Sequence, residues 1–268
     1  MTQIKSPLGQ TGHKYKLLDQ LLPHFPETKV FTEPFVGSGN VAVNVDAEKI
    51  VINDSCQPIV EWLTVMYEEP IERILYRLDK EIEYYKLSAS NKKGYYTLRD
   101  AYNLLPNPYW FYLLNAHSFS NQIRFAKAGN FNLPFGVRTF NPTRRRNMIN
   151  FVKKWQQKNV EFHSTDFEEL EYEGFVYFDP PYTNGVASYN TGWSTDHDQR
   201  LFTLLNRLDN KGIKWALSNA LTNNGKINHL LSRWSGRYRV IDIYASYRGS
   251  NYQRGDNGNT SEVLVVNY

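Results

Sequence analysis

Two short apolar runs in this chain stop at residues that cannot continue a strand, and what stops them narrows the fold more than any other feature. Val30-Phe-Thr-Glu-Pro-Phe-Val36 runs into Gly37-Ser38-Gly39, and Phe175-Val-Tyr-Phe178 runs into Asp179-Pro180-Pro181-Tyr182. Short β-favouring runs bounded by such breakers read as buried strands whose carboxyl ends open into loops. The runs at 50–54, 213–218 and 262–266 have the same character, and helical patterns fill 58–66 and 201–208. Strands alternating with helices predict an α/β fold with a mostly parallel sheet and helices on both faces. A further helix is expected through Val41–Val45, directly after the glycines.

The middle third differs. Ile71, Ile74, Leu75, Leu78, Ile82 and Tyr85 keep helical spacing, and from Phe119 to Phe140 the chain is rich in Asn, Gly and Phe. Gly129-Asn130 predicts a turn between short strands. From Ala101 to Val160 there is no Asp or Glu but there are nine Lys and Arg; with a net charge of +4 overall, the remainder of the chain stands at −5. A cationic segment within a mildly acidic chain suits a polyanionic partner, although a solvated basic face explains the charge equally well on its own. The segment 67–158 therefore reads as an insertion, with 1–66 and 159–268 forming the sheet domain.

The single Cys56 excludes a disulfide framework and a cysteine-built zinc site. No apolar run is long enough to span a bilayer, and MTQIKSPLGQ lacks the apolar core of a secretory signal. A cytoplasmic location and no membrane partner are expected.

Gly37-Ser-Gly-Asn-Val-Ala42 fits the pattern G-x-G-x-x-[G/A] after a strand. Glycines allow a tight turn and close approach of backbone to a ligand, and Asp54 at the end of the next run stands where a carboxylate can accept ribose hydroxyls. The pair implies an adenosine-containing cofactor without saying which. No Gly-Lys-Ser/Thr follows, so this is not a P-loop.

Asp179-Pro180-Pro181-Tyr182 is the more specific signal. Two prolines stiffen the backbone and remove two N–H donors, leaving the Asp179 carboxylate and the Pro180 carbonyl as acceptors beside the flat face of Tyr182. Such a patch suits an exocyclic amine. Acceptors on its two N–H bonds orient the nitrogen lone pair and stabilise the positive charge that grows during attack on an electrophile. Tyr182 would stack on a base swung out of a duplex.

These residues resemble the Dam family of DNA adenine-N6 methyltransferases, along nearly the whole chain. The likeness is carried by Thr11-Gly-His-Lys14, Glu33-Pro-Phe-Val-Gly-Ser-Gly39, Asn53-Asp54, Phe119-Ser-Asn-Gln-Ile-Arg124, Asn130-Phe131, Pro134-Phe-Gly136, Arg138, the tetrapeptide, and Glu262–Tyr268. The resemblance implies a Rossmann-like methyltransferase sheet with an inserted helical and β-hairpin target-recognition domain. It implies S-adenosylmethionine as cofactor, held by Gln10, Lys14, Glu33, Phe35, Gly37, Gly39, Asp54, Asp166, Phe167 and Asp179. Glutamine at position 10 departs from the aromatic residue usual in the family. Double-stranded DNA is the implied partner, with no metal required. Arg124 and Arg138 would read guanine edges, and Pro134 would meet a thymine methyl. Ser120, Asn121 and Gln122 would lie near the gap left by the flipped adenine, and Arg144, Arg145 and Arg146 would touch phosphates. The adenine of GATC is the expected target, and a restriction endonuclease acting on the same site is a further partner that the resemblance allows.

Rival readings explain less. A nicotinamide-dependent dehydrogenase shares the glycine turn and Asp54 but needs neither the tetrapeptide nor the acid-free segment. An amine methyltransferase acting on RNA or protein often carries Asn at the first tetrapeptide position. A cytosine C5 enzyme needs a reactive thiolate, whereas Cys56 reads as structural. A DNA-binding protein without catalysis leaves the intact tetrapeptide unexplained.

Overall fold

The structure, a computed structural model, describes residues 3–183, 192–223, 225–244 and 260–268. Its strands are β1 (Val30–Glu33), β2 (Lys49–Asn53), β3 (Val160–His163), β4 (Phe175–Phe178), β5 (Lys214–Asn223), β6 (Lys226–Ile227), β7 (Arg239–Ile243) and β8 (Ser261–Val266). The α-helices are α1 (Leu18–Leu21), α2 (Gln57–Glu68), α3 (Ile71–Tyr84), α4 (Lys92–Leu104), α5 (Pro108–His117), α6 (Pro142–Trp155), α7 (Thr195–Asn210) and α8 (His229–Ser235).

The strands form one sheet in the order β3-β2-β1-β4-β5-β8-β7, with β6 paired to the end of β5. The first five run parallel, and β8 lies antiparallel between β5 and β7. From β1 the chain moves outward to β2 and β3, then returns to β4 on the other side of β1. The carboxyl ends of β1 and β4 therefore flank the point where strand order reverses, the crevice in which open α/β sheets bind ligands. Both breaker motifs read from the sequence emerge at this crevice.

The two-residue period of β4 divides the core. Phe175 and Tyr177 join the cluster that holds Phe31, Ile50 and Ile52 with Trp62, Phe111, Phe151 and Trp155 from α2, α5 and α6. Val176 and Phe178 face the opposite way, into a cluster with Leu201, Phe202 and Leu205 of α7, Trp215 and Leu217. A strand buried on both faces reads as a continuous apolar run, as Phe-Val-Tyr-Phe does. Because α5 and α6 of the middle segment share the first cluster with β1 and β2, that segment is welded to the sheet by common packing.

Two expectations about local structure are corrected. No α-helix follows the glycines; Ala42–Asn44 makes a single 3₁₀ turn. Asn44 closes it early, its Oδ1 accepting from Ile4 N at 2.7 Å while its Nδ2 donates to the carbonyls of Ile4 and Asn40. The β-branched valines at 41, 43 and 45 add little helical preference, and α6 packs on this turn. Edge strands β3 and β7 were not anticipated. Their residues are almost all exposed or half-exposed, so the apolar alternation that betrays a strand is diluted. The turn at Gly129 forms as expected: Gly129 has φ +83°, and Ala126 N donates to Asn130 O at 2.8 Å. It joins isolated bridges at Phe125–Phe131 and Ser118–Phe135 rather than full strands. Among the described residues, no helix is long and apolar enough to cross a membrane.

Candidate active site at the sheet crevice

Asp179 leaves the end of β4 and meets Lys14, carried on the 3₁₀ turn Lys14–Leu17, with Nζ 2.7 Å from Oδ1. The lysine side chain is only 6% exposed. Burial works against its charge, but the carboxylates of Asp179 and then Glu262 hold its pKa above the ordinary lysine range. Burial pushes Asp179 up from the ordinary carboxylate value, and the Lys14 ammonium pulls it back. Tyr182 turns its hydroxyl to Asp179 Oδ1 at 3.4 Å, and Lys14 Nζ stands 5.2 Å from the centre of the tyrosine ring. Cation, carboxylate and aromatic ring thus form one group, and among the described residues both side-chain contacts to Asp179 fall on Oδ1.

Glu33, at the end of β1, is buried and accepts from Ala42 N at 2.9 Å. Burial first, then the nearby charge of Asp179, keeps its pKa well above the usual range. Its bond to Ala42 N ties the end of β1 to the turn that follows the glycines. Asp54 grips the same turn from β2: Oδ2 accepts from Gly37 N and Oδ1 from Cys56 N, both at 2.9 Å. Burial raises its pKa to about 6 against those two bonds. Cys56 is likewise pushed up to about 12, first by burial, which leaves a thiol unsuited to nucleophilic work.

The glycines answer whether a nucleoside cofactor fits here. Gly37 and Gly39 have φ of +49° and +75°. A Cβ on Gly37 would stand 2.6 Å from Gln10 Oε1, so only glycine lets the Gln10 side chain lie over the turn. Beside the turn, Phe35 packs on Phe167 at 5.4 Å and on Trp193 at 5.5 Å between ring centres. A glycine turn overlaid by the flexible end of Gln10, an adjoining aromatic wall and a carboxylate at the end of β2 fit an adenosine-containing group. Asp166 is engaged elsewhere, its Oδ1 accepting from Arg200 Nη2 at 2.8 Å and from Glu168 N at 3.0 Å.

The expected DNA-facing residues separate into two sets. Ser120, Asn121, Gln122, Arg124, Pro134 and Arg138 lie together on the loops after α5. Ser120 and Asn121 adopt φ of +58° and +51°, a left-handed conformation that costs on the order of 1 kcal/mol or more per non-glycine residue. Buried Asn121 sustains it by donating from Nδ2 to the carbonyls of Asn115 and Ala116 at 3.0 and 2.9 Å, while its Oδ1 receives Arg138 Nη1 at 3.1 Å. Arg124 is braced by Asn132, whose Oδ1 accepts from Nε at 2.7 Å and whose carbonyl accepts from Nη2 at 3.1 Å. On α6 the three arginines diverge. Arg144 donates to Pro7 O, Arg145 pairs with Asp79 of α3, and Arg146 is exposed.

Three residues to which sequence reading gave no site role belong to this region. Asn115, wholly buried in α5, bonds both backbone groups of Gly9 (2.9 and 2.7 Å) and also donates to Asn121 O at 3.0 Å. It joins the segment bearing Gln10 and Lys14 to the loop bearing Ser120–Gln122. A lone Asn within the apolar run Phe111–Ala116 was the available signal, since a buried amide needs partners. Glu262, the second residue of β8, pairs with Ala220 and lies near Lys14, an acid at the start of an otherwise apolar strand. Trp193 completes the aromatic wall, and nothing in its own neighbourhood of the sequence marked it.

Comparison with known proteins agrees with this geometry. Residues 11–246 match the family of D12 class N6 adenine-specific DNA methyltransferases. The chain is 36% identical over 279 residues to the Type II methyltransferase M.FokI of Planomicrobium okeanokoites, covering 99% of this chain and 43% of that protein. Modification methylase StsI of Streptococcus sanguinis is 34% identical, with the same 99% and 43% coverage. A DNA adenine methylase of Vibrio cholerae serotype O1 is 25% identical over 274 residues, 92% of this chain and 97% of that one. The chain thus spans less than half the length of the first two relatives.

Proposed function

As the chain belongs to the D12 class N6 adenine-specific DNA methyltransferase family, we propose that it transfers a methyl group from S-adenosylmethionine to N6 of an adenine flipped out of duplex DNA. The observation that carries the reading is the Lys14–Asp179–Tyr182 group, built around a buried lysine, at the crevice between β1 and β4. Lys14 and Tyr182 engage Oδ1 of Asp179, so Oδ2 and the Pro180 carbonyl are left to accept the two N–H bonds of the adenine amine. Held so, the amine directs its lone pair outward and its growing positive charge is met by fixed acceptors. Tyr182 supplies the stacking face. Lys14, Glu33, Phe35, Gly37, Gly39, Asp54 and Phe167 hold the cofactor, with Gln10 over the glycine turn and Asp166 at the rim. S-adenosylmethionine, when bound, supplies the electrophilic methyl.

In this reading, residues 67–158 recognise the target. Arg124 and Arg138 reach base edges from the loops after α5, near Pro134 and the Ser120–Gln122 turn, and the basic face of α6 contacts phosphates. The target in its most specific form is the adenine of GATC, which rests on the Dam resemblance. Identity is higher to the modification methylases than to the Vibrio DNA adenine methylase, so sequences other than GATC belong in every assay. A type II relationship also brings in a restriction endonuclease of the same specificity as a functional counterpart.

The test is Asp179→Ala. It is expected to abolish methyl transfer while leaving DNA binding near wild type; because Lys14 loses its partner, the melting temperature falls, and transfer is measured well below it. Undiminished transfer by this variant would contradict the assignment.

A further inference from the structure

Asp198 is 1% exposed, sits in the first turn of α7, and takes no part in the chemistry described above. Its two oxygens have different partners. Oδ1 accepts from Trp193 Nε1 at 2.8 Å, and Oδ2 accepts from Thr183 Oγ1. Thr183 directly follows the tetrapeptide. Trp193 lies with its ring nearly perpendicular to Phe35 (81°) and 5.8 Å from Phe167, so it forms part of the aromatic wall beside the glycine turn. One buried carboxylate therefore ties the exit of the catalytic strand to that wall.

A helix start needs no such arrangement. The first turn of α7 is already capped by Ser194 with His197, and Asp198 N bonds Ser194 O. Burying a carboxylate is costly unless it is bonded, and among the described residues this one is bonded by Thr183 and Trp193, whose side chains border the crevice. Burial raises its pKa, opposed by the bonds from Thr183 and Trp193.

We propose that Asp198 is a positioning residue for the cofactor: it fixes Trp193 against Phe35 and Phe167 and registers that wall with the segment following Tyr182. The proposal rests on the methyltransferase reading given above. Loss of Asp198 would free the indole and the threonine together, and the pocket would lose a preorganised side without losing any group that touches adenine.

Binding of S-adenosylmethionine to the full chain by isothermal titration calorimetry, with DNA affinity measured separately, tests this. Asp198→Ala is expected to weaken cofactor binding by about tenfold or more, the scale of bonds to a charged group, and to raise KM for the cofactor more than it lowers kcat. DNA affinity should stay unchanged. Trp193→Phe and Thr183→Val, each removing one donor, should weaken cofactor binding by smaller factors, and Thr183→Val should add nothing on top of Asp198→Ala. Should Asp198→Ala fail to fold, the two partner variants decide. Wild-type cofactor affinity in a folded Asp198→Ala, or in both partner variants, overturns the proposal and leaves the methyltransferase reading intact. A wild-type chain that binds no S-adenosylmethionine overturns both.

Discussion

Replacing Lys14 with methionine would remove one ammonium from a pocket that holds Asp179, Glu262 and Glu33. The lysine and Asp179 side chains are 6% and 18% exposed and in contact at 2.7 Å, so water compensates little for the loss. Breaking a buried pair by deleting one member costs about 3–5 kcal/mol, because the remaining charge stays buried without a partner. For a chain of this size, that lowers the melting temperature by about 6–20 °C. The cost is capped by protonation: without Lys14, the pKa of Asp179 rises further above its ordinary value. An acid whose folded pKa is raised favours the folded state at low pH and loses that contribution as pH rises through the folded value. The deficit of Lys14→Met relative to wild type should therefore be larger at pH 8 than at pH 5. Thermal melts of both proteins across that range measure it. Adding Asp179→Asn to Lys14→Met should recover part of the loss, since no unpaired charge then remains. A Lys14→Met variant as stable as wild type at pH 8, with an unchanged pH profile, would refute the account of this pair.

Two further outcomes follow from the same structure. Asp54 has a folded pKa of about 6 against an ordinary 3.8, so acidification through this window adds stability from this group, by up to about 3 kcal/mol. His13 and His117 run the other way: burial lowers both to about 4, so stability is lost as pH falls from 6.5 towards 4. Asp54→Asn should thus lose stability more steeply than wild type between pH 6 and pH 4, as read by urea titrations at each pH; parallel profiles would show that Asp54 is not held as described. Arg124→Ala should relax discrimination at one base pair of the target, by about 1–3 kcal/mol. An equal loss of affinity for all sequences would assign Arg124 to phosphates instead.

The two breaker motifs were legible in the sequence because their constraints are local. Glycines at 37 and 39 are demanded by backbone of positive φ, and Asp179-Pro-Pro-Tyr182 carries its chemistry in adjacent residues. The parallel sheet followed from apolar runs buried on both faces. What escaped reading depends on contacts distant in sequence. Asn44 ends the expected helix after the glycines through a bond to Ile4, 40 residues away. Asn115 joins Gly9, 106 residues away, to the Asn121 turn. Charge counting marked Arg144, Arg145 and Arg146 as a cluster, but it carried no information on Asp79, which pairs with Arg145. Positive charge in a sequence locates a face; side-chain partners decide which of its members remain to meet a ligand.

The central claim is tested most directly by incubating the chain with S-adenosylmethionine labelled in the methyl group and short DNA duplexes. One set holds a single adenine in GATC, and the other holds that site scrambled. Nucleosides released from the product identify the atom modified. The account predicts label on N6 of adenine, in GATC duplexes if the specific form of the proposal holds and in another defined sequence otherwise. Bound cofactor with no label on any adenine, or label on cytosine, would contradict it.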